Sequence, residues 1–144
     1  MPPFWKLCEE GDLKGVKPAI ARGEDINGGN ELNMIGLMLA VMGEHNMVVK
    51  ELLNQSSVAI NSSDFSGNTA VHEASDFGNV IALNMLVGNP RLTSVHTRGY
   101  LGQTPLMIAI RYGEIGCVRD LVRVEGADLE TRDDQGKSLE EEAR

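Results

Sequence analysis

Gly102-Gln-Thr-Pro-Leu-Met-Ile-Ala-Ile-Arg-Tyr-Gly113 has an earlier counterpart in Gly67-Asn-Thr-Ala-Val-His-Glu-Ala-Ser-Asp-Phe-Gly78. The two stretches match glycine to glycine, and their threonines, Thr69 and Thr104, stand 35 residues apart. Stepping back 34 residues from Thr69 reaches Ile35, which opens Ile-Gly-Leu-Met-Leu-Ala40. Stepping forward 34 from Thr104 reaches Ser138, within Gly136-Lys-Ser-Leu-Glu-Glu-Glu-Ala143. Four starts at intervals of 34, 35 and 34 define a period, and periods of this length belong to stacked repeat architectures.

The second half of each unit keeps the same spacing. Nine residues after Ala40, Ala74 and Ala109 come Val49, Leu83 and Val118. These open the triplets Val49/Leu52/Leu53, Leu83/Leu86/Val87 and Val118/Leu121/Val122, and apolar spacing of i, i+3, i+4 is one face of a helix. Leu7 and Val16 share the nine-residue offset, so a partial first unit begins near the amino terminus. Polar links follow at Gly23-Glu-Asp-Ile-Asn27, Val58-Ala-Ile-Asn61 and Gly126-Ala-Asp-Leu-Glu130. Each unit thus reads as a short helix, a tight turn, a second helix and an extended link. Thr104-Pro105 is a helix start, because the hydroxyl can cap free amides and proline suits the first turn. Ser138 and Glu141 have the spacing of a capping box. Helices this short cannot bury an apolar face alone, so neighbouring units must stack.

Thr104-Pro-Leu-Met and Thr69-Ala-Val-His72, set in this period, resemble the Thr-Pro-Leu-His motif of the ankyrin repeat, and the likeness runs from Trp5 to Ala143. The resemblance implies an all-α ankyrin-repeat solenoid of stacked helix-turn-helix units with hairpin-like links. A single domain over 1–144 divides into units of about 1–29, 30–63, 64–98 and 99–132, with a partial cap over 133–144. His72 then holds the ankyrin histidine position and ties hydrogen bonds between loops. Asn27 and Asn61 fall where ankyrin proteins can be hydroxylated. The second unit departs from the motif: Asn33 replaces the turn glycine, Ile35 the threonine and Gly36 the proline, while Gly43 arrives one residue early. An altered or less rigid first helix is expected there. In the last unit Glu140 and Glu142 replace Leu106 and Ile108, so that helix is expected to face water as a polar cap.

With 21 acidic against 13 basic residues the net charge is −8, which repels phosphate backbones and anionic membrane surfaces. A protein partner with a basic or mixed surface suits this charge. The longest apolar run, Met34 to Met42, is too short to span a bilayer. Cys8 and Cys117 form no paired motif, so a cytoplasmic or nuclear location is expected, with the thiols behaving as small apolar residues. His45, His72 and His96 share no metal-ligand spacing with them, and no cofactor or metal is expected. Neither a nucleophile–histidine arrangement nor a phosphate-cradling glycine loop is present, so an enzyme is not expected. Met34, Met38, Met42 and Met47 read first as core filling and second as an adaptable contact surface.

Ankyrin proteins bind partners with their link tips and the exposed side of their first helices. Carried onto this chain, the resemblance points to Phe65, Ser66, Asn68, Asp76 and Phe77 in the third unit. In the fourth it points to Tyr100, Leu101, Gln103, Arg111 and Tyr112, with Glu31, Leu32, Met34 and Met42 as lesser counterparts in the second. Four of the six aromatics fall in this set, and Phe65/Tyr100 and Phe77/Tyr112 are each 35 apart. Helices stacked about 8–10 Å apart would align them as two columns on one face. Packing of Phe77 and Tyr112 into the core is the competing expectation. The function expected is a protein–protein interaction module, an adaptor or inhibitor acting as a monomer. The alternatives are an accessory ankyrin domain of a larger, enzymatic protein, or a kinase inhibitor of the four-repeat type.

Overall fold

A computed structural model describes residues 1–143 of the chain. Helices come in pairs: α1 (Phe4–Glu9) with α2 (Leu13–Ala21), α3 (Gly36–Met42) with α4 (Asn46–Leu53), α5 (Ala70–Asp76) with α6 (Val80–Val87), and α7 (Pro105–Arg111) with α8 (Ile115–Val122). A short α9 (Leu139–Glu142) closes the array. The first helices pack as one row, α1 on α3 on α5 on α7 on α9, and the second helices as another, α2 on α4 on α6 on α8. With six to nine residues in each paired helix, none is stable as an isolated segment, and stacking supplies what length does not. Leu37, Met38, Leu52, Leu83, Leu86, Leu106, Met107 and Leu121 are almost wholly buried between the rows. Each such side chain contributes roughly 1.5–3 kcal/mol.

Local capping follows the sequence. Thr69 and Thr104 cap α5 and α7 by accepting from the His72 and Met107 amides, and Pro105 occupies the first turn. Ser138 and Glu141 close a reciprocal capping box on α9. Ile35 supplies no side-chain cap to α3. The helix is nevertheless not shortened: α3, α5 and α7 are each seven residues long. The residue in the left-handed turn after α3 is Glu44 (φ 58°), aligned with Gly78 (φ 64°) and Gly113 (φ 67°), while Gly43 keeps a helical backbone (φ −83°). Stacking on α1 and α5 imposes the register, and Glu44 takes the strained position that the glycine misses by one residue.

Four link tips share two backbone hydrogen bonds. Asn30, Asp64, Gly99 and Asp133 donate to Met34, Asn68, Gln103 and Lys137, and their carbonyls accept from Asn33, Gly67, Gly102 and Gly136. Antiparallel bridges at Gly29/Ile35, Ser63/Thr69 and Arg132/Ser138 give three tips their hairpin character. At the base, Asn27 accepts from the Ala59 amide and donates to the Ser57 carbonyl, and Asn61 does the same with Thr93 and Arg91. Both amides therefore pin one link to the next.

The last helix corrects an expectation. Glu140 is exposed, but Glu142 is buried, and its Oε2 accepts from Arg111 Nε at 3.0 Å and Nη2 at 2.8 Å. A cation 31 residues earlier turns an apparent surface charge into part of the seal between α7 and α9.

Candidate protein-binding face

The third and fourth tips are built differently, and the difference shapes the face. In the third, Asp64 Oδ1 accepts from the Ser66 and Asn68 amides at 2.8 and 3.0 Å, which leaves Phe65 at the apex, 77% exposed. The fourth has Gly99 in place of the aspartate. Asn68 reaches across from the third unit, and its Oδ1 accepts from the Tyr100 amide at 3.0 Å. A Cβ on Gly99 would stand 2.1 Å from that oxygen and 2.9 Å from His72 Nε2, so the crossing requires glycine. The chain then makes one 3-10 turn over Tyr100–Gly102, with Leu101 in the left-handed region at φ 56°.

His72 holds the two units together from below. Its Nδ1 accepts from the Thr69 amide at 3.0 Å, which leaves the proton on Nε2 to donate to the Gln103 carbonyl at 2.9 Å. Burial lowers its pKa, in keeping with a neutral ring that links loops.

Below the tip, a groove of about 200 Å³ runs between α5 and α7. It is lined by Asn68, Asp76, Tyr100, Leu101, Gln103, Ile108, Arg111 and Tyr112. Seven of the ten residues pointed to in the sequence therefore meet in one place. Phe65, Ser66 and Phe77 lie outside it, although all three are exposed. Tyr100 and Tyr112 are 59% and 55% exposed and Phe77 is 45% exposed, so these rings do not finish the core. Gln103 differs from its expected role as an exposed contact, being only 6% exposed. With its oxygen assigned to the side facing the guanidinium, it accepts from Arg111 Nη1 at 3.1 Å and forms part of the groove floor. In the second unit Leu32 is exposed, but Met34 and Met38 fill the core, and Met47 is the exposed methionine of the group.

Charge in the groove is uneven. Arg111 is engaged by Glu142 and Gln103. Behind it, Asp133 Oδ2 and Glu142 Oε1 are buried without a hydrogen-bond partner among the described residues. The neighbouring Glu142 side chain first, then the Lys137 and Gln135 amides, hold Asp133 down to about 2, whereas burial and then Asp133 push Glu142 up. Asp76, also raised by burial, forms no ion pair among the described residues. Neither does Glu73, which sits on α5 at the position that Ile108 holds on α7. Burial first, then Asp64 and Asp76, raise Glu73 to about 7. The sequence reading missed Glu73, although its place in line with Leu39 and Ile108 marks a carboxylate at an otherwise apolar position. No metal-binding cluster of histidine, cysteine and carboxylate is present among the described residues. Nor, among them, is any helix long and apolar enough to cross a membrane.

Residues 4–98 match the family description of ankyrin repeats in three copies, and residues 101–134 match a further ankyrin repeat. The chain belongs to the ankyrin repeat family, whose arrays are protein-interaction modules. The human transient receptor potential cation channel subfamily A member 1 is 31% identical over 122 residues, covering 78% of this chain and 11% of the channel. The chain thus spans about a tenth of that relative's length.

Proposed function

We propose that this chain is an adaptor- or inhibitor-type module that captures a partner protein on the face built by its third and fourth units. The observation that carries the reading is the pair of exposed rings, Tyr100 and Tyr112, lining one groove with Asp76, Arg111 and the strained Leu101 tip. Exposed aromatics around a concave centre are favoured hot spots, and buried ones would have served stability instead. At about 200 Å³ the groove is smaller than the roughly 300–1,000 Å³ of small-molecule sites, which favours partner side chains over a free ligand. The net charge of −8 directs the module toward protein rather than nucleic acid. We further place it as a monomer in the cytoplasm or nucleus, where the buried thiols of Cys8 and Cys117 stay reduced.

A second reading is favoured by the length of the human channel, of which the aligned stretch is 11%: the repeats serve inside a larger protein. The test is a pull-down from native lysate with the wild type beside a Phe65→Ala/Tyr100→Ala variant. The wild type is expected to retain a partner that the variant loses, with both melting at nearly the same temperature. Much earlier melting of the variant, or equal recovery of the partner, would sink the reading.

A further inference from the structure

Resting on the reading above, we propose that the groove takes one lysine or arginine side chain from a basic segment of the partner, seated beside Tyr100 and Tyr112 and facing the carboxylate of Asp76. Four observations support this occupant. The volume of about 200 Å³ suits one long side chain. Both tyrosine rings line the groove, and a ring face attracts a cation within about 6 Å of its centre. Arg111, the cation already in the groove, is neutralised by Glu142 and so does not repel a newcomer at full strength. The carboxylate of Asp76, which lines the groove, has no ion-pair partner among the described residues.

Other occupants fit less well. An acidic group would meet Asp76 without a free cation to offset it. An apolar side chain would desolvate Asp76 with nothing in exchange, and burying an unpaired charge is costly. A basic side chain resolves both, since its methylenes cover the rings while its head faces the Asp76 carboxylate.

The test is selection of phage-displayed random dodecapeptides on the wild type, followed by rejection of those that still bind a Tyr100→Ala/Tyr112→Ala variant. Both rings are exposed, and a melting curve checks that the variant is folded. Peptides that need the tyrosines are expected to carry lysine or arginine at one fixed position. Replacing that residue with norleucine in the synthetic peptide weakens binding to the wild type by about tenfold or more, and far less to Asp76→Asn. Tyrosine-dependent peptides without a basic position, or with one that norleucine replaces at no loss, overturn this inference while the binding face stands. Recovery of no tyrosine-dependent peptide overturns the inference and the proposed face together.

Discussion

The second and third units have nearly the same backbone and reach it by different means. The third uses Gly67 in its tip, Thr69 as cap, His72 as tie and Gly78 in the turn between helices. At the matching places the second has Asn33 (φ 60°), the uncapped Ile35, the buried Met38 and the strained Glu44. Yet α3 and α5 are equal in length. Stacking between neighbours sets the backbone, and the motif residues add local hydrogen bonds and relieve strain. The units differ far more in what they present. Leu39 on α3 is apolar where Glu73 on α5 is a carboxylate, and Met42 stands where Asp76 does. The motif-poor unit is chiefly packing, while the motif-rich one contributes Asn68 and Asp76 to the groove.

Moving residues between the two units tests this contrast. The largest effect is expected at His72. Its removal in His72→Ala leaves a cavity and frees the Gln103 carbonyl, costing about 3 kcal/mol in urea denaturation. His72→Met, which copies the second unit, fills the space and costs roughly 1–2 kcal/mol. Because burial lowers the His72 pKa below 6.5, the unfolded wild type takes up a proton that the folded state refuses as pH drops. Wild-type stability therefore falls below pH 6.5, and its advantage over His72→Met narrows there. An equal gap at pH 7 and pH 5 would remove the histidine from this account.

Glu73 is expected to come next, with the opposite sign. Its pKa rises from 4.5 to about 7 on folding, so stability is lost as pH climbs through that interval and stays low above it. Glu73→Leu, again copying the second unit, should melt several degrees higher than the wild type at pH 8. The gain shrinks as pH approaches 4.5, and a gain independent of pH would show that packing alone is responsible.

Glu44→Gly brings the third unit's glycine to the second. Release of the left-handed strain outweighs the added freedom of the unfolded chain, and a gain of about 0.5–1 kcal/mol is expected by urea denaturation. A loss would mean that Glu44 makes a contribution beyond its backbone. Smallest of all is Tyr112→Ala, which at 55% exposure should change stability by less than about 0.5 kcal/mol. A large drop in its melting temperature would place Tyr112 in the core and blur the division between packing and binding units.

Much of this was legible in the sequence, for reasons of range. The period, the paired helices and the Thr104 and Ser138 caps were read from residues three or four apart or from a repeat interval, and the His72 tie followed from the resemblance to the ankyrin motif. The face was legible in part. The resemblance to ankyrin repeats pointed to Tyr100, Tyr112, Asp76 and Arg111 together, but did not separate Phe65 and Phe77 from the groove that those four line.

By itself, then, the sequence determined that these residues stack as ankyrin repeats, because the apolar spacing repeats and short amphipathic helices have no other way to cover it. Only the tertiary structure decided which polar groups are inside. Glu142 looks like a solvated cap residue until Arg111, 31 residues away, is seen to pair with it. Glu73 looks like a helix-surface glutamate until α3 and α7 are packed on either side of α5. Burial is a property of neighbours distant in the chain, so the charges that distinguish this face from a generic repeat surface appear only once the units are stacked.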